Sequence, residues 1–521
     1  MSVTIQLLKR SAALVKAWEQ IRLSDGRTLA EILTLNGIPM WQVAAPALAL
    51  HPVVRALSLD NQFSLIVRQV RPYLVRAQQS IYDLKTIRKS YEGCVSWPAE
   101  PTWLFLGFSP YMYRDVLQPV VSYLQNNARR SKPVIIHDWR NTSPILRDPR
   151  SSYQSIWQHW DKAVIHHAKI LNQSLLTARR DLYAGGLSKI IQSQGELPWR
   201  QAQPVFTWFF RAFLPRLLPQ AAIARHLLEQ HKPAIIISPN VADPRTRLFC
   251  LLGRSLGIPS LELQFGMYNT EGVEWQFFVA DRVAVWGETP YNVLSEHGVP
   301  TGRMVTTGSA RYDYVISASK EERNHIRARL GVPEGKTVLL FASSYSINSY
   351  NAVVDPRHLI EVKKKIFTIV SRINGLFLVV KPHPAENVHQ IRRLVHGYQN
   401  VLIADQLADI RELIPACDAF ITMGSTATMD ALIARKLVIF PNFPGLVWWD
   451  DVYLKNNVAV VASSEEELER IFRAIISGKS RQLLDELESA RQRFIKEWIY
   501  QPDGRAAVRI ADLATQMAGL S

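Results

Sequence analysis

The sequence predicts an α/β protein: two open, doubly wound sheets preceded by a helical extension. Three observations predict it. From Thr102 onward, short apolar runs bounded by Gly, Pro or Asp alternate with helix-length segments, the rhythm of strand–helix–strand units around a buried parallel sheet. That rhythm breaks at a charged stretch, Lys320 to Leu330, and a Gly331 to Lys336 turn, then restarts at Thr337. The length, 521 residues, also exceeds one comfortable hydrophobic core. The expected division is residues 1–100 as a helical extension, 101–320 as a first sheet domain with a helical insertion, and 321–521 as a second sheet domain.

In chain order, Ser11 to Ile32 reads as helical, Gly37-Ile38-Pro39 as a break, and Leu57 to Lys89 as helical again with many arginines. Trp103 to Gly107 is the first buried strand, Phe108-Ser109-Pro110 a turn, Tyr111 to Asn127 a helix, and Val134 to His137 the next strand. Residues 151–230 are mainly helical. Within them, Val205 to Leu228 combines Trp208, Phe209, Phe210 and Phe213 with Arg211, Arg216 and Arg225, which suits either a core stripe or a helix lying on an anionic membrane surface. Core packing is the expectation, and Pro215 and Pro219 argue against one continuous helix. Strands resume at Ala234 to Ser238, Ser260 to Leu263, Asp281 to Gly287 and Met304 to Gly308. The second block gives strands at Thr337 to Ala342, Leu376 to Val380, Val401 to Ile403, Ala419 to Thr422 and Leu437 to Phe440, and closing helices from Glu465.

Composition narrows the class. Hydrophobic residues at 47% and charged residues at 20% describe a globular chain with an ample core. Cys94, Cys250 and Cys417 stand apart without metal-ligand spacing, so a disulfide framework or zinc site is not expected and a reducing cytoplasm is. Met1 to Arg10 lacks a cleavage pattern. His51, Pro52 and Arg55 interrupt the most apolar stretch, Met40 to Leu57, so no membrane span is expected. The net charge of +16 calls for an anionic partner: nucleic acid, an anionic membrane face or a phosphorylated substrate. The basic residues are dispersed and no nucleic-acid motif accompanies them, which sets nucleic acid aside.

The chemistry concentrates where two strands of the second block end. Leu376 to Val380 stops at Lys381-Pro382-His383-Pro384, which puts a basic, imidazole-bearing loop at a strand's carboxyl end, where open parallel sheets bind ligands. Ala419 to Thr422 runs into Met423-Gly424-Ser425-Thr426-Ala427-Thr428 and then a helix from Met429 to Arg435, a helix start suited to an anion. Together they read as a phosphate clamp, His383 and Lys381 on one side and Gly424 to Thr428 on the other. Taken singly, each of these residues would also serve a cap or a strand stop, and Lys381 would pair with Glu386; their joint order favours the clamp. Ser343 and Ser344 follow the second block's first strand and would line the same edge. In the first block, Asp243 stands at a carboxyl edge as a candidate general base, or as a helix cap or partner of Arg245 or Arg247. Ser109 and Arg114 are acceptor candidates, with a plain helix start as the alternative.

A family likeness rests on Gly257-Ile258-Pro259 through Gln264-Phe265-Gly266, Trp286-Gly287, Thr307-Gly308-Ser309-Ala310-Arg311-Tyr312-Asp313, Lys381-Pro382-His383-Pro384, Asp418 to Thr422 with Ser425-Thr426 and Asp430-Ala431, and Asp503-Gly504-Arg505-Ala506. Over roughly residues 230 to 515 the chain resembles the GT-B glycosyltransferases, whose two domains are Rossmann-like. More narrowly it resembles the branch of capsule-polysaccharide transferases, CDP-glycerol glycerophosphotransferases and Kdo transferases. That branch often has histidine where Phe265 stands, so no role passes to this position. The resemblance implies a nucleotide-sugar donor held by His383, Ser425 and Thr426 at its phosphate and by Asp430 at its ribose. It further implies an acceptor and a base in the first domain, and no obligatory metal or other cofactor. The expected activity is sugar transfer to a surface-polysaccharide or lipid-linked acceptor, by a cytoplasmic enzyme held near the inner membrane face by its charge. The alternatives are glycerophosphate transfer from a CDP-linked donor, nucleotide-sugar 2-epimerisation, and nucleotide-sugar binding without catalysis.

Overall fold

The computed structural model describes residues 3–50, 97–98, 101–127, 132–139, 152–193, 198–240, 242–267, 272–314, 320–344, 356–383, 386–406, 408–443 and 452–520. The helix expected across Leu57 to Lys89 lies outside these residues, as do Cys94 and Pro384. The chain divides into two compact units. One comprises Met1–Trp286, Tyr291–Ala310 and Arg505–Ser521; the other comprises Gly287–Pro290 and Arg311–Gly504.

The first unit opens with helix α1 (Val3–Glu19). A four-residue helical turn, Leu29–Ile32, follows, started by Thr28 and Glu31 in a reciprocal capping box. A two-residue hairpin pairs Thr34–Leu35 with Ile38–Pro39, and helix α2 (Met40–Ala49) comes next. Trp18 lies tilted against Phe206 at 5.3 Å and Trp41 meets Phe209 edge-on at 5.9 Å, so this amino-terminal segment packs onto the helical insertion. Strands β1 (Thr102–Leu106), β2 (Lys132–His137), β3 (Ser152–Ser155), β4 (Ile235–Ser238), β5 (Ser260–Leu263), β6 (Arg282–Val285) and β7 (Met304–Thr306) form one parallel sheet in the order β3-β2-β1-β4-β5-β6-β7. The order reverses between β1 and β4. Helix α3 (Lys162–Ala184) begins the insertion. The chain then runs through helix Trp199–Trp208, a π turn at Phe209–Phe213 and α4 (Leu214–His231) without a break. Continuity across Pro215, against expectation, comes from that π turn, which already gives up the regular i→i−4 ladder just before the residue that lacks an N–H. Phe209 and Phe210 are buried while Trp208 and Phe213 are partly exposed, so the aromatic stripe packs inward along one side, with Arg211 and Arg216 exposed. Helix α5 (Pro244–Ser255) follows β4.

The second unit holds β8 (Thr337–Ala342), β9 (Leu376–Lys381), β10 (Val401–Ile403), β11 (Ala419–Thr422), β12 (Leu437–Pro441) and β13 (Val460–Ala462). They form an all-parallel sheet in the order β10-β9-β8-β11-β12-β13. Helices α6 (Pro356–Arg372), α7 (Ala427–Ile433) and α8 (Ser480–Trp498) belong to it. β8, β9 and β11 are apolar and buried, as strands covered on both faces must be. The last helix, α9 (Ala506–Met517), joins the first unit; the sequence reading runs the second domain to residue 521 but leaves open a return of the closing helices to the first. The reason is its apolar face: Ala507, Ile510, Ala511, Leu513 and Ala514 pack in one core with Trp103, Phe105, Val120 and Leu124. No helix among the described residues is long and apolar enough to cross a membrane.

Candidate functional site

Strand register in the second unit brings three loops to one edge. Ala342 of β8 pairs with Lys381 of β9 on one side and with Thr422 of β11 on the other, so the three strands end in one row. Two inter-strand steps, about 10 Å, therefore span the row. Ser343 and Ser344 leave β8, Pro382 and His383 leave β9, and Met423 to Thr426 leave β11. The order reverses between β8 and β11, the place where open sheets open a crevice to ligand.

An ion pair that sequence reasoning missed holds the β8 and β9 loops. Glu386 and Lys363 are buried with side chains only 4% and 8% exposed, and the ammonium contacts Oε1 of the carboxylate directly. The same oxygen accepts from Ser343 Oγ at 2.8 Å, while Oε2 accepts the His383 backbone N–H at 2.6 Å. Lys363 Nζ also donates to the Ser344 carbonyl at 2.6 Å. One carboxylate thus ties the β8 loop, the β9 loop and α6 together. Gln406 closes the far side, its amide donating to the His383 carbonyl at 2.9 Å and the Glu386 carbonyl at 3.0 Å. The alternative pairing of Lys381 with Glu386 does not occur. Lys381 Nζ donates to the Pro382 carbonyl at 2.9 Å and the Gln406 carbonyl at 3.0 Å, which spends its charge on the loop's own backbone. The imidazole of His383 is partly exposed. Burial first, then the charges of Lys381 and Lys363, push it down to about 4, so it is neutral at pH 7.

The β11 loop turns at Gly424, whose φ of +83° only glycine adopts without strain. Thr422 Oγ1 accepts the Ser425 N–H at 3.2 Å and the Thr428 hydroxyl at 2.7 Å, fixing the turn from beneath. Ser425 Oγ accepts the Ala427 N–H at 3.3 Å, and α7 starts at Ala427, two residues before the expected Met429. Ser425 and Thr426 remain partly exposed. Asp430 does not match its expected place at a ribose. It is fully buried, and its two oxygens accept from Arg311 Nε at 3.1 Å and Nη2 at 2.8 Å. Ser343, 3% exposed, likewise serves Glu386. His383, Ser344, Gly424, Ser425 and Thr426 are the predicted site residues left at the open edge.

The first unit's candidates are engaged in the fold. Asp243 caps α5 by accepting the Arg245 N–H at 2.9 Å, and it also grips that guanidinium, accepting from Nε at 2.9 Å and Nη2 at 2.6 Å. Asp138, after β2, holds the other guanidinium nitrogen, and the group lies 4.5 Å from the centre of the Phe108 ring. Of the roles the sequence leaves open for Asp243, the structure shows the helix cap and the partnership with Arg245. Ser109 caps the turn Pro110–Met112, and Arg114 pairs with Asp115 at 2.7 Å. No cluster of three or more His, Cys, Asp or Glu among the described residues is arranged to hold a metal. Cys250 and Cys417 are buried free thiols.

Residues 293–516, less than half of the chain, match the family model described as CDP-Glycerol:Poly(glycerophosphate) glycerophosphotransferase. No curated protein matches the chain. Among solved structures, a CDPG-soaked variant of the wall teichoic acid polymerase TagF superposes with a TM-score of 0.50 at 12% identity, covering 88% of this chain and 99% of that one. The S. aureus MnaA–UDP structure superposes with a TM-score of 0.52 at 11% identity, covering 81% of this chain and 98% of that one. With two parallel sheets of seven and six strands, each reversing its order at the innermost pair, the chain has the fold of the GT-B glycosyltransferase-like superfamily.

Proposed function

We propose that this chain is a transferase that takes a group from a nucleotide-linked donor, with the donor's phosphates held at the carboxyl edge of β9, β8 and β11. The observation that carries this is the row of three strand ends, with the β8 and β9 loops locked by Glu386 and Lys363 and the β11 loop by Thr422. His383 presents a neutral imidazole to a phosphate oxygen. Ser425 and Thr426 offer hydroxyls at the positive end of α7, where charge grows on the departing nucleotide. The bond from donor phosphate to the moved group breaks, an acceptor hydroxyl forms the new bond, and the hydroxyl proton leaves. The moved group is read as a sugar, delivered to a surface-polysaccharide or lipid-linked acceptor. The match of residues 293–516 favours a second reading, in which a glycerophosphoryl group leaves CMP.

The test is a thermal-shift series with CMP, CDP, UDP and GDP on the parent, His383→Ala and Glu386→Gln chains. One nucleotide should raise the parent's melting temperature, because only a ligand that prefers the folded state does so. His383→Ala should weaken that ligand at least tenfold, and Glu386→Gln severalfold, with unchanged circular dichroism. Parental nucleotide binding and turnover in His383→Ala would overturn the reading. A phosphodiester in the product, in place of a glycosidic bond, selects the glycerophosphoryl reading.

A further inference from the structure

One face of α3 has the chemistry of a docking surface. Val164, Leu171, Leu175, Ala178 and Leu182 form its buried face, which packs against α4. On the opposite face, Lys162, Lys169, Leu176 and Tyr183 recur every seven residues, two helical turns apart, and all four are exposed. Arg180, one turn past Leu176, is exposed beside them. Leu176 is 52% and Tyr183 40% exposed, among the most open large apolar side chains of the described residues. The helix has one carboxylate, Asp181, and that group accepts from Arg27 Nη2 at 3.0 Å, off the stripe.

The stripe continues past the helix end. The Tyr183 ring meets Trp199 edge-on at 6.2 Å, Arg179 lies 6.0 Å from the Tyr183 ring centre, and Arg200, next to Trp199, is exposed. Cations and apolar side chains thus share one face, and the two carboxylates in or capping the helix are both engaged, Asp161 with His226 and Asp181 with Arg27. We propose that this face of α3, with Trp199 and Arg200, docks the protein on an anionic lipid bilayer. Charge complementarity selects the occupant: the chain carries +16, and lysines and arginines on the stripe meet lipid phosphates as their stems cover apolar surface. Leu176 and Tyr183 select a bilayer over a bare polyanion, since a headgroup layer accepts apolar side chains and a polyphosphate chain does not. Phe206, Phe209 and Phe210 of the aromatic stripe are buried and take no part. This surface is independent of the nucleotide reading.

Flotation of the full chain with extruded vesicles tests it. The parent should float with vesicles of phosphatidylglycerol and phosphatidylcholine at 30:70, stay behind with pure phosphatidylcholine, and lose binding severalfold at high salt. Lys162→Glu/Lys169→Glu/Arg180→Glu should bind at least tenfold more weakly, and Leu176→Ser/Tyr183→Ser severalfold more weakly. All five positions are exposed, so circular dichroism and melting temperature should hold. Reversal at Lys364 and Arg470, exposed residues of the second unit, should change nothing. Parental flotation by the triple variant would overturn the proposal, as would equal loss on reversal at Lys364 and Arg470. So would parental binding to polyuridylate that the triple variant abolishes, with no flotation on anionic vesicles.

Discussion

Histidine 383 is held neutral by its surroundings, and that makes a statement about stability. Its ordinary value is near 6.5, and burial with Lys381 and Lys363 nearby brings it to about 4 in the folded chain. His159 behaves alike, at about 4, through burial and then the charges of His231 and His226. Between these values the unfolded chain binds protons that the folded chain refuses, so stability rises with pH there. The contribution is complete above about pH 6.5 and disappears as pH falls towards 4. With allowance for the exposed part of the ring, His383 should be worth about 2 kcal/mol at the acid end. The thermal midpoint should therefore drop between pH 6.5 and 4, and the drop should be smaller in His383→Gln. An equal drop in both chains would show that the imidazole is not held neutral. The identity of this histidine was legible because Pro382 and Pro384 mark where its strand stops. The partner that fixes its loop was less so, because Lys363 lies on α6, and sequence spacing does not say that a helix residue reaches Glu386. Asp243 stayed open between base, cap and arginine partner because a carboxylate after a strand looks the same in sequence in each role, and the ribose place of Asp430 came from the family likeness, in which nothing marks Arg311 as its partner.

At the scale of elements, most apolar strand runs were legible, and two edge strands, β3 and β13, were not. β5, β8, β10 and β11 fall on the predicted residues because each is a short, mainly apolar run between polar or turn-forming segments. β3 escaped notice: Ser152 to Ser155 lies at an edge, is mostly polar and buries only Gln154. β13 is an edge strand of three residues, with Val461 39% exposed, and leaves as weak a signal. The hairpin before α2 carries a signal that was passed over, Asn36-Gly37, whose φ values of 47° and 81° make the two-residue turn such a pair favours. Trp286-Gly287 was noticed only as part of a likeness, and the structure supplies its physical basis. A Cβ on Gly287 would lie 2.6 Å from the Trp498 carbonyl carbon and oxygen and 2.8 Å from the Glu497 carbonyl oxygen, backbone atoms at the end of α8 that cannot step aside. Gly287→Ala should cost about 1–3 kcal/mol as α8 shifts. A urea midpoint unchanged from the parent's would show that α8 yields freely.

For the whole molecule, the consequential feature is that the chain leaves the first unit before its last helix and supplies that helix from the far end of the sequence. Residues 311–504 are inserted between Ala310 and Arg505, so the first unit's core is completed only after the second unit has been made. Residues of α9 fill space against Tyr113, Val116, Leu117 and Ile235, a buried cluster that residues 101–310 cannot complete alone. Ile510 is 3% exposed within it. A carboxylate there would be buried without a partner, and Ile510→Asp should destabilise the first unit by about 3–5 kcal/mol. The second unit has its own core, built on Leu339, Phe341, Ile366, Leu378 and Ile421, which α9 does not enter. Hydrogen exchange should separate the two. In Ile510→Asp, amides of β1, β4 and β5 should exchange much faster, while those of β8, β9 and β11 keep parental protection and the nucleotide-dependent shift persists. Equal loss of protection in both sheets would mean that the units open together, and the division of the chain at residues 310 and 504 would then have no energetic meaning.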